Sequence, residues 1–228
     1  MAARQAQKAA EMGRIIASDA DLKAGIAFLK PRCPGMAQAH AVVGDPPLRR
    51  WSPGFDGLVR IIVGQQLSTS SAAAILARLT LAVVPLSPDT LMATGDAVLR
   101  SAGLSAAKIA TLRALARAAI DGQVDLAALM ALPQADVRRQ LTAIRGIGPW
   151  TADIYLLFCR GDADAFAAGD LALQISAQTV LALPERPTAD ELQVIAERWR
   201  PWRGVAARLL WAHYGHVKHA AKKSVGRT

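Results

Sequence analysis

Three features of this 228-residue chain have residue types and spacing that could do chemistry: a Gly-x-Gly turn, an aspartate opening a helix, and evenly spaced histidines. The turn lies in Leu141-Thr-Ala-Ile-Arg-Gly-Ile-Gly-Pro-Trp-Thr-Ala-Asp153, between two amphipathic stretches. Gly146 and Gly148 can take backbone angles denied to other residues and admit close approach of another backbone. Pro149 suits the first turn of the helix that follows. Amides at such a helix start, with Arg145 beside them, suit an anion such as a phosphodiester oxygen. The same turn also reads as a tight αα-hairpin that only joins two helices. Asp170 follows Gly169 and opens a helix, so on residue type alone it reads as an N-cap. Asp162 and Asp164 read as loop carboxylates. His213, His216 and His219 are spaced as metal ligands could be, but no carboxylate or thiolate stands near, and they read as part of a solvated basic tail.

Charge narrows the class of partner. Twenty-seven Lys and Arg against 18 Asp and Glu leave +9, which points to a polyanion, with nucleic acid ahead of an acidic membrane surface. No acid follows Glu197, whereas Arg198, Arg200, Arg203, Arg208, Lys218, Lys222, Lys223 and Arg227 do. Residues 218–228 are expected to form a disordered basic tail. Cys33 and Cys159 lie far apart, which excludes a disulfide scaffold, a zinc ribbon and a four-cysteine cluster, and leaves reduced thiols. The first residues hold no continuous apolar stretch, and the longest apolar run contains Thr80 and Pro85. A secretory signal and a membrane span are therefore not expected, and the expected location is the cytoplasm, with the nucleoid.

The elements that must position these residues are helical. Aromatics make up only 5% and alanine fills much of the apolar pattern, which recurs at three- and four-residue spacing. Helices are predicted over 20–29, 55–66, 69–83, 106–121, 133–144, 150–159, 171–182, 188–199 and 203–217, with short ones opened by Asp89 and Asp96 and another over 126–132. Residues 30–47, rich in Pro and Gly, read as a loop. Ser105 caps the long helix, whose apolar stripe is Ile109, Leu112, Leu115 and Ile120. No strand pair is predicted, so the fold class is all-α.

Over roughly residues 50–215 the sequence resembles the helix-hairpin-helix DNA glycosylase superfamily, nearest the DNA-3-methyladenine glycosylase II subgroup. The hairpin carries the resemblance, together with Ile61-Ile-Val-Gly-Gln-Gln-Leu-Ser68, Gly103-Leu-Ser-Ala-Ala-Lys-Ile, Asp170 and Trp202-Arg203. It implies two helical lobes with the active site in the cleft between them: a central lobe over 55–155 ending in the hairpin, and a second over 1–54 plus 156–217. It implies that Asp170 is catalytic, stabilising an oxocarbenium-like sugar, and that the base is flipped out of the duplex. Trp150 stands where strand-cutting relatives hold a lysine, which implies a monofunctional enzyme. Trp150 and Trp211 would wall a pocket for a cationic alkylated base. Gln66 and Leu67 would probe the duplex, with Gln66 filling the gap. Arg145, Gly146, Gly148 and Thr151 would hold phosphate. No cofactor is required, although backbone carbonyls of Thr142, Ile144 and Ile147 could hold a structural sodium or potassium ion. The implied partner is double-stranded DNA, bound by a monomer. Removal of deaminated, etheno or oxidised bases, and non-catalytic DNA binding, are the alternatives.

Overall fold

The computed structural model describes residues 13–225, with side chains to residue 220. The chain divides into two compact units: one is Arg50–Arg160, the other joins Gly13–Arg49 to the chain from Gly161 onward. Both are helical, and the only β pairing among the described residues is an isolated bridge between Ile15 and Asp162. No helix among them is long and apolar enough to cross a membrane.

The second unit begins with α1, Asp19–Leu29, where Ser18 and Asp21 form a reciprocal capping box. Next comes α2, Pro34–Val43, in a stretch expected to be a loop. Its proline occupies the first helical turn, where a missing N–H costs nothing, so the Pro and Gly density misleads.

The first unit then runs through α3 (Gly54–Gly64), α4 (Thr69–Ala82), α5 (Pro88–Ala93), α6 (Asp96–Ser101) and α7 (Ala106–Ile120). After a 3-10 turn at Ala128–Ala131 come α8 (Gln134–Thr142) and α9 (Pro149–Ile154), and then a π-helical stretch, Tyr155–Arg160. Helix α3 buries Leu58, Val59, Ile61, Ile62 and Val63 in this unit and leaves Asp56 and Arg60, four residues apart, on its exposed face. Ser68 and Ser105 cap α4 and α7 as their sequence positions predict. Ile109, Leu112 and Leu115 are buried as expected, but Ile120 is 43% exposed, because α7 ends there and the chain turns away through Gly122 at φ +70°. The buried Arg160 guanidinium donates to the carbonyls of Leu129 and Leu132, satisfying the end of the 3-10 turn.

The chain returns to the second unit. Ile16 N–H donates to Gly161 O at 2.7 Å and Ala163 N–H to Arg14 O at 2.8 Å, joining the two segments that build it. Asp162 is fully buried, and Asp164 is gripped by Arg203 through both carboxylate oxygens at 2.9 Å and by Arg200 at 3.1 Å. Both lie outside the helices, as loop carboxylates should, yet both are held in place. Then follow α10 (Leu171–Val180), α11 (Ala189–Ala196) and α12 (Arg203–Val225). A Cβ on Gly25 would lie 2.5 Å from Val205 Cγ2, so glycine is what lets α1 approach α12 this closely. Trp202 is buried, with the Arg14 guanidinium 4.7 Å above its ring. The expected basic tail is corrected in part: α12 continues as helix to Val225, and only residues 226–228 lie outside the described residues.

His213 on α12 shares a 3.0 Å hydrogen bond with Ser176 of α10. Burial, with His216 adding to it, holds its ring below the ordinary histidine range. Because the folded value is the lower one, the unfolded chain binds the proton first as pH falls. The stabilisation is complete above about pH 6.5 and is lost as pH drops through the folded value. A plot of Tm against pH should therefore fall more steeply on the acid side for the parent chain than for His213→Asn. Parallel curves would mean that the ring does not titrate differently on folding.

Candidate active site

The hairpin of α8 and α9 is built around one glycine rather than two. Gly146 has φ +87°, and a Cβ there would sit 2.0 Å from Thr111 Oγ1 on α7. The residue must therefore be glycine both for its backbone angle and for the space it leaves. Gly148 has φ −96° and ψ 176°, an ordinary extended N-cap, with nothing within 4 Å of an added Cβ. Of the two glycines that can take angles denied to other residues, only Gly146 does so. Gly148 is open, so a second molecule can come close to the backbone there. Ile144 and Ile147 are buried beneath the turn, and Ile147 N–H donates to Ile144 O at 3.0 Å. Arg138 Nε bonds Asp153 Oδ1 at 2.7 Å, tying the two helices together.

Arg145 is exposed on the turn, and no ion pair engages it among the described residues. Thr151 departs from expectation. The whole residue is 1% exposed, and its hydroxyl accepts Gln65 Nε2 at 2.9 Å, so Thr151 is closed to a phosphate and the expectation that it holds one is corrected. Trp150, two residues after Gly148, is half-buried.

In the same unit, α3 ends at Gly64 and the chain passes through Gln65, Gln66 and Leu67 to the Ser68 cap of α4. Gln66 has φ +55°, a left-handed conformation that costs a non-glycine residue about 1 kcal/mol or more. Gln66 and Leu67 are both exposed. Gln65 and Gln66 are the central residues of a turn that Leu67 N–H closes on Gly64 O at 3.3 Å.

Asp170, in the other unit, is both the N-cap of α10 and more than a cap. Its Oδ1 accepts Ala172 N–H at 3.0 Å, Leu173 N–H at 3.1 Å and the Trp211 indole N–H at 3.0 Å. The two amides are the usual capping pattern. The indole belongs to α12, 41 residues further along the chain, so the carboxylate is oriented by tertiary structure as well as by its own helix. Trp211, expected as a pocket wall, is thus also the partner of the candidate catalytic group, a role that sequence reading missed. No signal in the sequence links positions so far apart. Asp170 is half-buried, and its carboxylate could face a developing positive charge.

Neither cysteine is poised as a nucleophile. Cys33 and Cys159 are buried and free, and burial pushes the Cys159 thiol up to about 12. Among the described residues no group of three or more His, Cys, Asp or Glu could hold a metal ion.

Comparison with known proteins adds ancestry to this geometry. Residues 59–201 match the family described as "HhH-GPD superfamily base excision DNA repair protein". The chain is 34% identical over 190 residues to the Mycobacterium tuberculosis "Probable bifunctional transcriptional activator/DNA repair enzyme AlkA", covering 78% of this chain and 37% of that protein. It therefore spans little more than a third of that relative's length. Among solved structures, it is similar to a DNA-3-methyladenine glycosidase from Bacillus halodurans, with a TM-score of 0.71 at 30% identity, covering 90% of this chain and 94% of the other. It is similar also to the 3-methyladenine DNA glycosylase Mag1 of Schizosaccharomyces pombe in complex with abasic DNA, with a TM-score of 0.71 at 27% identity, covering 77% and 88%.

Proposed function

The chain belongs to the HhH-GPD superfamily of base excision DNA repair proteins, and from that premise we propose that it is a monofunctional DNA N-glycosylase for alkylated bases of the 3-methyladenine type. The observation that carries the reading is the half-buried Asp170, whose Oδ1 accepts two amides and an indole. Its relatives named as 3-methyladenine glycosylases support the substrate class.

A base inside a duplex cannot be reached, so it must leave the stack first. Gln66, strained and exposed, fills the gap it leaves, with Leu67 beside it. The flipped alkylated purine carries positive charge, and the faces of Trp150 and Trp211 suit such a ring. As the C1′–N bond breaks, its electron pair leaves with the base and positive charge spreads over the sugar. The Asp170 carboxylate stabilises that charge. Water then adds its oxygen to C1′ and gives up a proton, leaving an abasic site. A lysine amine at position 150 could attack the sugar instead; tryptophan cannot, so the backbone stays uncut.

Phosphate is held by the hairpin: the Arg145 guanidinium, and the backbone at Gly146 and Gly148. The carbonyls of Thr142, Ile144 and Ile147 form an all-oxygen, uncharged donor set, which fits sodium or potassium better than a transition metal. When bound, such an ion would brace the turn. The protein acts as a monomer on double-stranded DNA, in the cytoplasm at the nucleoid.

The test is release of free base from methylated duplex DNA. Free 3-methyladenine with an intact backbone is expected. Tight binding with no released base from methylated, ethenoadenine, hypoxanthine or uracil duplexes would overturn the enzymatic reading. A second variant checks the hairpin. Gly148→Asp should fold normally, because space is open there, yet weaken binding to any duplex about tenfold or more by setting a carboxylate against a phosphate. Unchanged affinity in a titration would show that the turn faces away from DNA.

A further inference from the structure

The Gly103–Lys108 segment has a distinctive sequence, and nothing in the reaction above uses it. Lys108 stands in the first turn of α7, where the helix dipole disfavours a cation. It is partly desolvated, and burial lowers its pKa. Two disfavouring effects at one ammonium require a partner, and that partner is specific. Nζ donates to Val63 O at 2.7 Å. Val63 lies in the last turn of α3, which has no basic residue of its own and whose final carbonyls lack amide partners within the helix. Lys108 thus supplies from α7 the cation that the end of α3 lacks.

Three residues beyond Val63 stands Gln66, with its left-handed backbone. Between them, Gln65 points its amide to the buried Thr151 hydroxyl on α9. The loop is therefore fastened twice, by Lys108 to α7 and by Gln65 to the hairpin. Between and beyond those fastenings, Gln65 and Gln66 are the central residues of a turn that Leu67 N–H closes on Gly64 O at 3.3 Å, so the two fastenings fix where this turn holds the left-handed Gln66.

We propose that Lys108 is a positioning residue for duplex opening: by clamping the Val63 carbonyl it holds the 64–68 loop in the conformation that presents Gln66 to the base stack. This rests on the reading of the chain as a base-flipping glycosylase with Gln66 as its gap filler. Lys108 need touch neither the base nor the sugar.

The experiment compares the parent chain with Lys108→Met, Lys108→Arg, Gln65→Ala, Gln66→Ala and the Lys108→Met/Gln66→Ala double variant. Two signals are read: fluorescence of 2-aminopurine placed opposite a methylated base, which reports unstacking, and single-turnover base release from duplex and from single-stranded DNA. Lys108→Met should reduce the unstacking signal and slow release from duplex by about tenfold or more, while release from single strands is unchanged. In the Gln66→Ala background the same change should cost less than about twofold, because the two residues act as one unit. Lys108→Arg, which keeps a donor cation, should restore most of the signal. Gln65→Ala, which frees the second fastening, should reproduce the defect without touching Lys108.

Equal losses with and without Gln66 would overturn the proposal, as would equal losses on single-stranded DNA. The fluorescence arm needs no base release. A parent chain that opens the duplex without cleaving would therefore sink the glycosylase reading and still test the lysine.

Discussion

Asp170→Asn should fold, bind methylated duplex DNA as the parent chain does, and release free base slower by on the order of 10³-fold or more. Asparagine keeps an Oδ1 that can accept the Ala172 and Leu173 amides and the Trp211 indole. It is also as good an N-cap as aspartate. The shape of the site and the start of α10 are therefore preserved, and the negative charge is what is lost. Asp170→Ala would confound the comparison, since it removes the cap as well, at about 1 kcal/mol. The measurement is single-turnover release of 3-methyladenine beside a binding titration on the same duplex. Parent-like turnover would show that the carboxylate only caps its helix. Lost binding together with lost turnover would place Asp170 in the architecture rather than in the chemistry.

Gly146→Ala should be the most destabilising single-methyl change in the hairpin. The new Cβ would lie 2.0 Å from Thr111 Oγ1 and 2.9 Å from Thr111 Cβ, and the backbone at φ +87° opposes any side chain. Overpacking of this kind costs about 1–3 kcal/mol, and the strained angle adds about 1 kcal/mol or more. A loss of roughly 2–4 kcal/mol is expected in chemical denaturation. Thr111→Ala should recover part of it, because the 2.0 Å contact disappears while the φ penalty and the Cβ contact remain. Gly148→Ala, by contrast, should be nearly neutral, since its φ is −96° and its surroundings are open. If the two alanine variants proved equally stable, α7 would have to yield to the added methyl.

Local sequence carried what local chemistry determines. Ser68 and Ser105 mark helix starts because each hydroxyl bonds an amide three residues on, a relation visible in the sequence itself, whereas the Ser18 cap of α1 stands just ahead of the start the sequence suggested. The hairpin and Asp170 were legible because their spacing is short or their family pattern strong. What was not legible depended on distance or on context. The Asp170–Trp211 bond joins two helices of one unit, and the Lys108–Val63 bond joins α7 to α3. Helix α2 was hidden because proline in a first turn resembles proline in a loop. Gly146 and Gly148 look alike in sequence, and only the position of Thr111 tells them apart. Thr151 kept its place in the hairpin but gave its hydroxyl to Gln65, which no pattern of residue types reveals.

The bridge between Ile15 and Asp162 has a consequence for how the molecule is made. The unit that holds Asp170 cannot close until a ribosome has delivered residues on both sides of the unit that holds the hairpin. At about 5–20 residues per second, Gly13–Arg49 waits roughly 6–20 s for the partner segment that begins at Gly161. The hairpin unit is contiguous and can fold during that interval, drawing the ends of the wait together. The unit that holds the hairpin is thus complete on the ribosome before the unit that holds Asp170.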